Sequence, residues 1–106
     1  MFEAIRVGMR TSVTHPLKIA AVQAGPRFGR VGLTLCPGKQ QVSGMTGPWQ
    51  RDLGIDVAAI AAFGAAAVVT LIEDHEFASL RVPGLGKAVL SHHMDWLHLP
   101  DRKSVV

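Results

Sequence analysis

The chain has a single cysteine, Cys36, and no tyrosine. One cysteine excludes an internal disulfide, and the simplest setting for it is a reducing, cytoplasmic one. Charge is sparse. Only 18% of residues are charged and the net charge is +3. No basic run is longer than Arg102-Lys103, whereas a nucleic-acid footprint needs lysines and arginines clustered on one face. Nucleic acid is therefore not an expected partner. No stretch reaches the ~18 apolar residues of a membrane-spanning helix. The longest apolar-rich region, 57–72, is interrupted by Gly64. Arg6 and Arg10 precede no apolar run, so the N-terminus does not read as a signal peptide. Neither a membrane nor a secretory role is expected. Aromatic residues are also few: Phe2, Phe28, Phe63, Phe77, Trp49 and Trp96. Much of the apolar content is alanine and valine, which predicts a finely divided core with few large anchors.

With 106 residues, 48% of them hydrophobic, the chain suits one domain with a real core. Residues 1–14 are weakly patterned and read as an N-terminal arm, leaving 15–106 as the domain. Short strands are expected at 17–22 and 31–36, bounded by Pro16, by Gly25-Pro26 and by Pro37-Gly38, and paired as an antiparallel hairpin. Residues 37–50, with Gly38, Gly44, Gly47 and Pro48, read as a long loop. Asp52 or Asp56 offers a helix N-cap. Ile55, Ala59, Ile60 and Phe63 recur at helical spacing, and Gly64 provides the stop. The apolar run 67–72 reads as a strand buried on both faces. Short helices over 74–80 and 85–92 and a strand over 95–99 complete the order β-β-α-β-α-α-β. Strands 67–72 and 95–99, joined by helices, should be parallel through a right-handed crossover. The expected fold class is thus an α/β sandwich, with an N-terminal hairpin and a parallel strand pair flanked by helices.

Four landmarks recur along this order. They are Gly32-Leu33-Thr34-Leu35-Cys36-Pro37-Gly38-Lys39, Trp49-Gln50-Arg51-Asp52-Leu53, Val68-Val69-Thr70-Leu71-Ile72-Glu73 and Asp95-Trp96-Leu97-His98-Leu99-Pro100. In this order and spacing, from Pro16 to Pro100, the chain resembles the N-terminal half of a cysteine-dependent protein phosphatase of the kinase-associated, dual-specificity type. The resemblance implies a phosphatase-like α/β domain and a phosphoprotein substrate, with no cofactor. It also implies a nucleophilic cysteine in a Cys-x5-Arg loop at a helix N-terminus. Backbone N–H groups there hold the phosphate and depress the thiol pKa. The arginine binds the phosphate in a fork, and an aspartic acid protonates the leaving oxygen.

Against that pattern the chain departs at the nucleophile. Six residues after Cys36 stands Val42, not arginine, and the intervening residues lack the small character of an anion cradle. Cys36 falls in the family's early Leu-Thr-Leu-Cys-Pro-Gly segment and reads as a small residue closing a strand. Asp101, directly after Leu99-Pro100, is the general-acid candidate carried over, set against the ordinary reading of a solvated carboxylate. The domain is expected to be a truncated or divergent phosphatase-like one, incomplete and without activity as this chain. The family's sheet places its nucleophile-bearing strand between the hairpin and the parallel pair. A chain without it is expected either to pair 31–36 directly with 67–72 or to self-associate over the gap.

Other constellations carry less. Arg27 and Arg30 flank a glycine-rich turn and are phosphate- or partner-binding candidates, against a plain hairpin turn. Glu73, Asp74, His75 and Glu76 suit a helix start better than a metal. His92, His93 and His98 with Asp95 have zinc-binding residue types but no ligand spacing, so no metal is expected. Residues 44–47 are too loose for a phosphate-cradling loop. The rival reading is a protein–protein binding module that offers an open sheet edge to another chain.

Overall fold

The structure, a computed structural model, describes residues 10–23, 25–27, 29–41 and 48–101. Residues 44–47 of the glycine-rich loop, and Arg102-Lys103 with the rest of the C-terminal segment, lie outside the described residues. The elements in chain order are β1 (Arg10–Thr11), β2 (Ala20–Gln23), β3 (Arg30–Leu33), β4 (Gln40–Gln41), β5 (Trp49–Gln50), α1 (Leu53–Phe63), β6 (Ala67–Thr70), α2 (Asp74–Ser79), α3 (Leu85–Ser91) and β7 (Asp95–His98). This is the mixed α/β order expected, with three short strands added.

The strands form three small sheets. β2 and β3 make the antiparallel hairpin, with Ala20 opposite Leu33 and Val22 opposite Val31. β6 and β7 are parallel, with Val68 beside Trp96 and Thr70 beside His98. β5 lies between β1 and β4, parallel to β1 and antiparallel to β4. Among the described residues β3 does not pair with β6, so the direct 31–36 to 67–72 pairing is not made. Within 37–50, the described residues 37–41 and 48–50 are more ordered than a plain loop, because β4 pairs with β5 and Trp49 is buried. Residues 10–14 are likewise tied into the domain rather than frayed. β1 bonds to β5, and Ser12 is buried.

α1 begins where Asp52 takes an extended conformation and its side chain accepts from the Ile55 N–H. It ends at Gly64, whose left-handed φ of 95° supplies the expected C-cap. Its inward face differs from the expected one. Asp56, Val57 and Ile60 are buried, while Ile55 is exposed. The helix is rotated because Asp56 is drawn inward by a cation. Val57 and Ile60 then join Leu85 and Val89 of α3 and Ile72, Leu80, Val82 and Met94 in one core, with Cys36 at its margin. Fully burying each of these aliphatic side chains contributes about 1.5–3 kcal/mol.

The helices cover one face of the strands only. A Cβ on Gly32 would meet Ile19 and Phe63, so that face of β3 looks toward α1. Its neighbours Val31 and Leu33, pointing the other way, are 54% and 60% exposed. β6 repeats the pattern, with Val68 packed on the core and Thr70 buried while Val69 is 50% exposed. The strand is thus buried on one face, not on both. A parallel strand is apolar on both faces when both are covered, and in this chain no described helix reaches the outer one.

Asp56 lies at the centre of the domain's polar core. Replacing Asp56 with Ala strands the buried Arg51 guanidinium, and the unfolding free energy should fall by about 3–5 kcal/mol. Asp52→Ala, which removes only the cap, should cost about 1 kcal/mol. Guanidinium chloride unfolding of the two variants checks the ranking. Equal midpoints would contradict it.

Candidate functional site

The Arg51–Asp56 ion pair is fully enclosed, with side-chain exposures of 1% and 0%. Arg51 Nε and Nη2 donate to Asp56 Oδ2 at 2.7 Å and Oδ1 at 3.0 Å, a fork on a carboxylate. Ser12 Oγ donates to Oδ1 at 2.8 Å and the Gly38 N–H donates to Oδ2 at 2.8 Å. Ser12 Oγ in turn accepts from the Asp52 N–H at 2.7 Å. Gly38 makes its bond with φ at +72°, and a side chain there would also strike Leu53. One carboxylate therefore fastens the N-terminal segment, the turn after β3 and the start of α1. Trp49 roofs the site, with the Arg51, Arg10 and Lys39 cations 5.4, 5.1 and 5.9 Å from its ring centre.

Cys36 sits beside this knot and is buried. Burial pushes its thiol up to about 12, the Asp56 and Glu76 carboxylates push the same way, and only Lys39 opposes. Its Sγ contacts the Pro37 carbonyl at 3.7 Å. Cys36 leads into a turn rather than a helix N-terminus, and no cradle of N–H groups surrounds the sulfur among the described residues. The buried Lys39 is itself lowered below the usual lysine range by burial, with the nearby thiol pulling it back. This arrangement holds a thiol, not a thiolate.

Beyond Cys36 a cleft of about 790 Å³ runs between β3 and β6. Residues 30–37 form one wall and 64–72 the other, with Ile60, Phe63 and Leu85 as its floor and Asp101 on its rim. The two walls run in the same direction. At one end Arg30 lies over Phe63, the last residue of the helix that leads into β6, with the guanidinium 4.9 Å from the ring centre. At the other end Cys36 and Ile72 belong to one buried cluster. A strand–helix–strand unit with parallel strands has this geometry.

The sequence-derived candidates are spread along the cleft. Arg30 stands at its β6-start end and Arg27 is in the exposed turn before it. Asp101 stands past the end of β6, its backbone N–H bonded to the Leu71 carbonyl at 2.7 Å. The two arginines and the aspartate are therefore not brought to one point. The Glu73–Glu76 segment caps α2, with Glu76 Oε1 accepting from the Glu73 N–H at 2.8 Å. Glu73, His75 and Glu76 offer ligand atoms within 4.8 Å of one another, and none of the three is buried.

Two groupings escaped the sequence reading. The first is Ser12, Gly38, Arg51 and Asp56. The second is a chain in which Trp96 Nε1 donates to Thr70 Oγ1 at 3.1 Å, Thr70 Oγ1 meets His98 Nδ1 at 2.8 Å, and His98 Nε2 meets Asp74 Oδ1 at 2.7 Å. With the proton on Nε2 every contact is satisfied. The hydroxyl is buried and already shared with the indole, so the chain zips β6, β7 and the start of α2 together and presents no nucleophile.

No protein-family model and no curated protein sequence matches the chain. Among solved structures, a kinase associated phosphatase carrying a serine in place of its catalytic-site cysteine superposes with a TM-score of 0.72 at 18% identity. The match covers 83% of this chain and 48% of that one, so the chain spans about half the length of the phosphatase it resembles. The likeness establishes a phosphatase-like fold.

Because the thiol titrates higher folded than unfolded, its contribution to stability is complete below pH 9 and is lost as pH rises from 9 toward 12. Iodoacetamide at pH 8 should therefore leave native Cys36 largely unmodified while labelling it quickly in denaturant. Rapid labelling of the native protein at pH 8 would contradict the assignment.

Proposed function

We propose that the chain is a phosphatase-like half-domain of dual-specificity lineage, corresponding to the N-terminal half of such a domain and inert toward phosphomonoesters by itself. The observation that carries this reading is the state of Cys36. The fold is that of a phosphatase, yet the chain's only cysteine is buried, raised to about 12 and followed after six residues by Val42. Cysteine-based phosphoryl transfer needs a thiolate near neutral pH and an arginine fork, and neither is at this position. Asp101, exposed and lining the cleft, is the proton-donor candidate of this reading, provided that a nucleophile and phosphate grip were supplied from elsewhere. Arg27 and Arg30 serve as partner-facing cations of the hairpin. A reducing, cytoplasmic location accords with the free thiol.

A second reading is favoured by the open cleft: the chain acts as a binding module. The outer edges of β3 and β6 and the apolar outer face invite association, with another copy or with another protein. A phosphoprotein enters only through the phosphatase lineage, as the substrate of a completed domain.

The purified chain should turn over para-nitrophenyl phosphate no faster than buffer, and Cys36→Ala should leave that background unchanged. Turnover above background that disappears in Cys36→Ala would overturn the inert half-domain.

A further inference from the structure

We infer that the cleft between β3 and β6 receives an apolar strand from polypeptide beyond these 106 residues, and that a helix attached to that strand covers the outer sheet face. The inference rests on the binding-module reading above and specifies its partner. It draws on the edges, the faces and the availability of strands within the chain.

Each wall of the cleft is a strand hydrogen-bonded on one side only among the described residues, β3 to β2 and β6 to β7. Alternate N–H and C=O groups of both strands therefore point into the cleft. A single extended segment between them would satisfy both rows, because the walls are parallel and joined by α1. Addition of a strand at an exposed edge is an established mode of peptide recognition, with main-chain bonds for affinity and alternate side chains for specificity.

The side chains set the chemistry of that segment. Its inward residues would lie over Ile60, Phe63 and Leu85, which form the cleft floor. Its outward residues would continue the row of Val22, Val31, Leu33, Val69 and Leu97, each between 49% and 60% exposed. A strand inserted here is flanked by apolar neighbours on both faces and must itself be apolar on both. The outward row needs cover as well, since a sheet of parallel strands keeps both faces buried. An amphipathic helix connected to the strand supplies it.

Among its described residues, a second copy of this chain has no spare strand to offer. Among the described residues every strand is already paired within its own sheet, and the three helices are committed to the inner face or to capping. A second copy would have to break an existing pair. A strand from beyond these 106 residues is consistent with the fold match, in which this chain covers 48% of the solved phosphatase and leaves a comparable length without a counterpart.

The test uses three synthetic probes and amide hydrogen exchange on the whole chain. The first is a peptide of six alternating valines and isoleucines flanked by lysines. The second has prolines at its two central positions, and the third carries an amphipathic helix after the strand. In the free chain, the amides bonded within the β2–β3 and β6–β7 pairs should be protected. If they are not, the half-domain reading itself fails. With those pairs protected, the first peptide should saturate and slow exchange in β3 and β6 together by at least about tenfold, and the proline peptide should not. The strand–helix peptide should bind at least about tenfold more tightly, and Val69→Lys should weaken its binding by more than it weakens that of the simple strand, whose main-chain bonds remain. Three results would overturn the strand receptor: no saturable peptide effect, protection of only one edge, or concentration-dependent protection without peptide that tracks a dimer in light scattering.

Discussion

The pairing of Arg51 with Asp56 is the interaction on which the domain depends. A charge this deeply enclosed is costly unless every acceptor position is filled. Here both carboxylate oxygens are filled, by the guanidinium fork, the Ser12 hydroxyl and the Gly38 N–H. Those partners come from the N-terminal segment, the turn after β3 and the approach to α1. Fixing one carboxylate consequently fixes how three parts of the chain meet. It also sets the rotation of α1, turning Val57 and Ile60 into the core and leaving Ile55 outside. The position of Phe63 over the start of β3 follows from that rotation, and with it one end of the cleft.

The same knot contributes to the raised thiol of Cys36. The turn that delivers the Gly38 N–H to Asp56 uses, for structure, an N–H of the kind that would otherwise help to bind an anion. It also sets a carboxylate near the thiol, on top of the burial that is the main reason the thiol is raised. A site built to stabilise a thiolate gathers N–H groups and cations around sulfur and keeps it accessible. This one encloses the sulfur. Among the described residues, what stays open is the cleft between the two larger strand pairs, where backbone edges and an apolar outer face stand uncovered.

Much of this was legible in the sequence, for identifiable reasons. Proline and glycine punctuation located the hairpin. Asp52, one of two candidate caps with Asp56, and Gly64 marked the ends of α1, and the run 67–72 marked a strand. The parallel β6–β7 pair followed from its helical crossover. The family landmarks anticipated a phosphatase-like fold, which the superposition bears out at 18% identity. The central ion pair was not legible. Arg51 and Asp56 are five apart across a helix start, and a polar residue on an apolar helix face signals exposure until its partners are known. The second burial face assigned to 67–72 also failed, because an apolar run records only that a strand prefers cover, and here the outer cover is not among the described helices. Thr70, His98 and Asp74 become neighbours only through strand register and the crossover, which no local pattern encodes.

The central claim is that the domain is stably folded around a strand position that none of its described residues fills. Amide hydrogen exchange of the isolated chain, at a concentration where light scattering gives a monomer, tests it most directly. The account predicts strong protection in α1 and at the Gly38 amide, with the cleft-facing amides of β3 and β6 exchanging at least about 100-fold faster than those bonded to β2 and β7. Equal, strong protection of both sets in the monomer would mean that the position is closed within the chain, and would contradict the account.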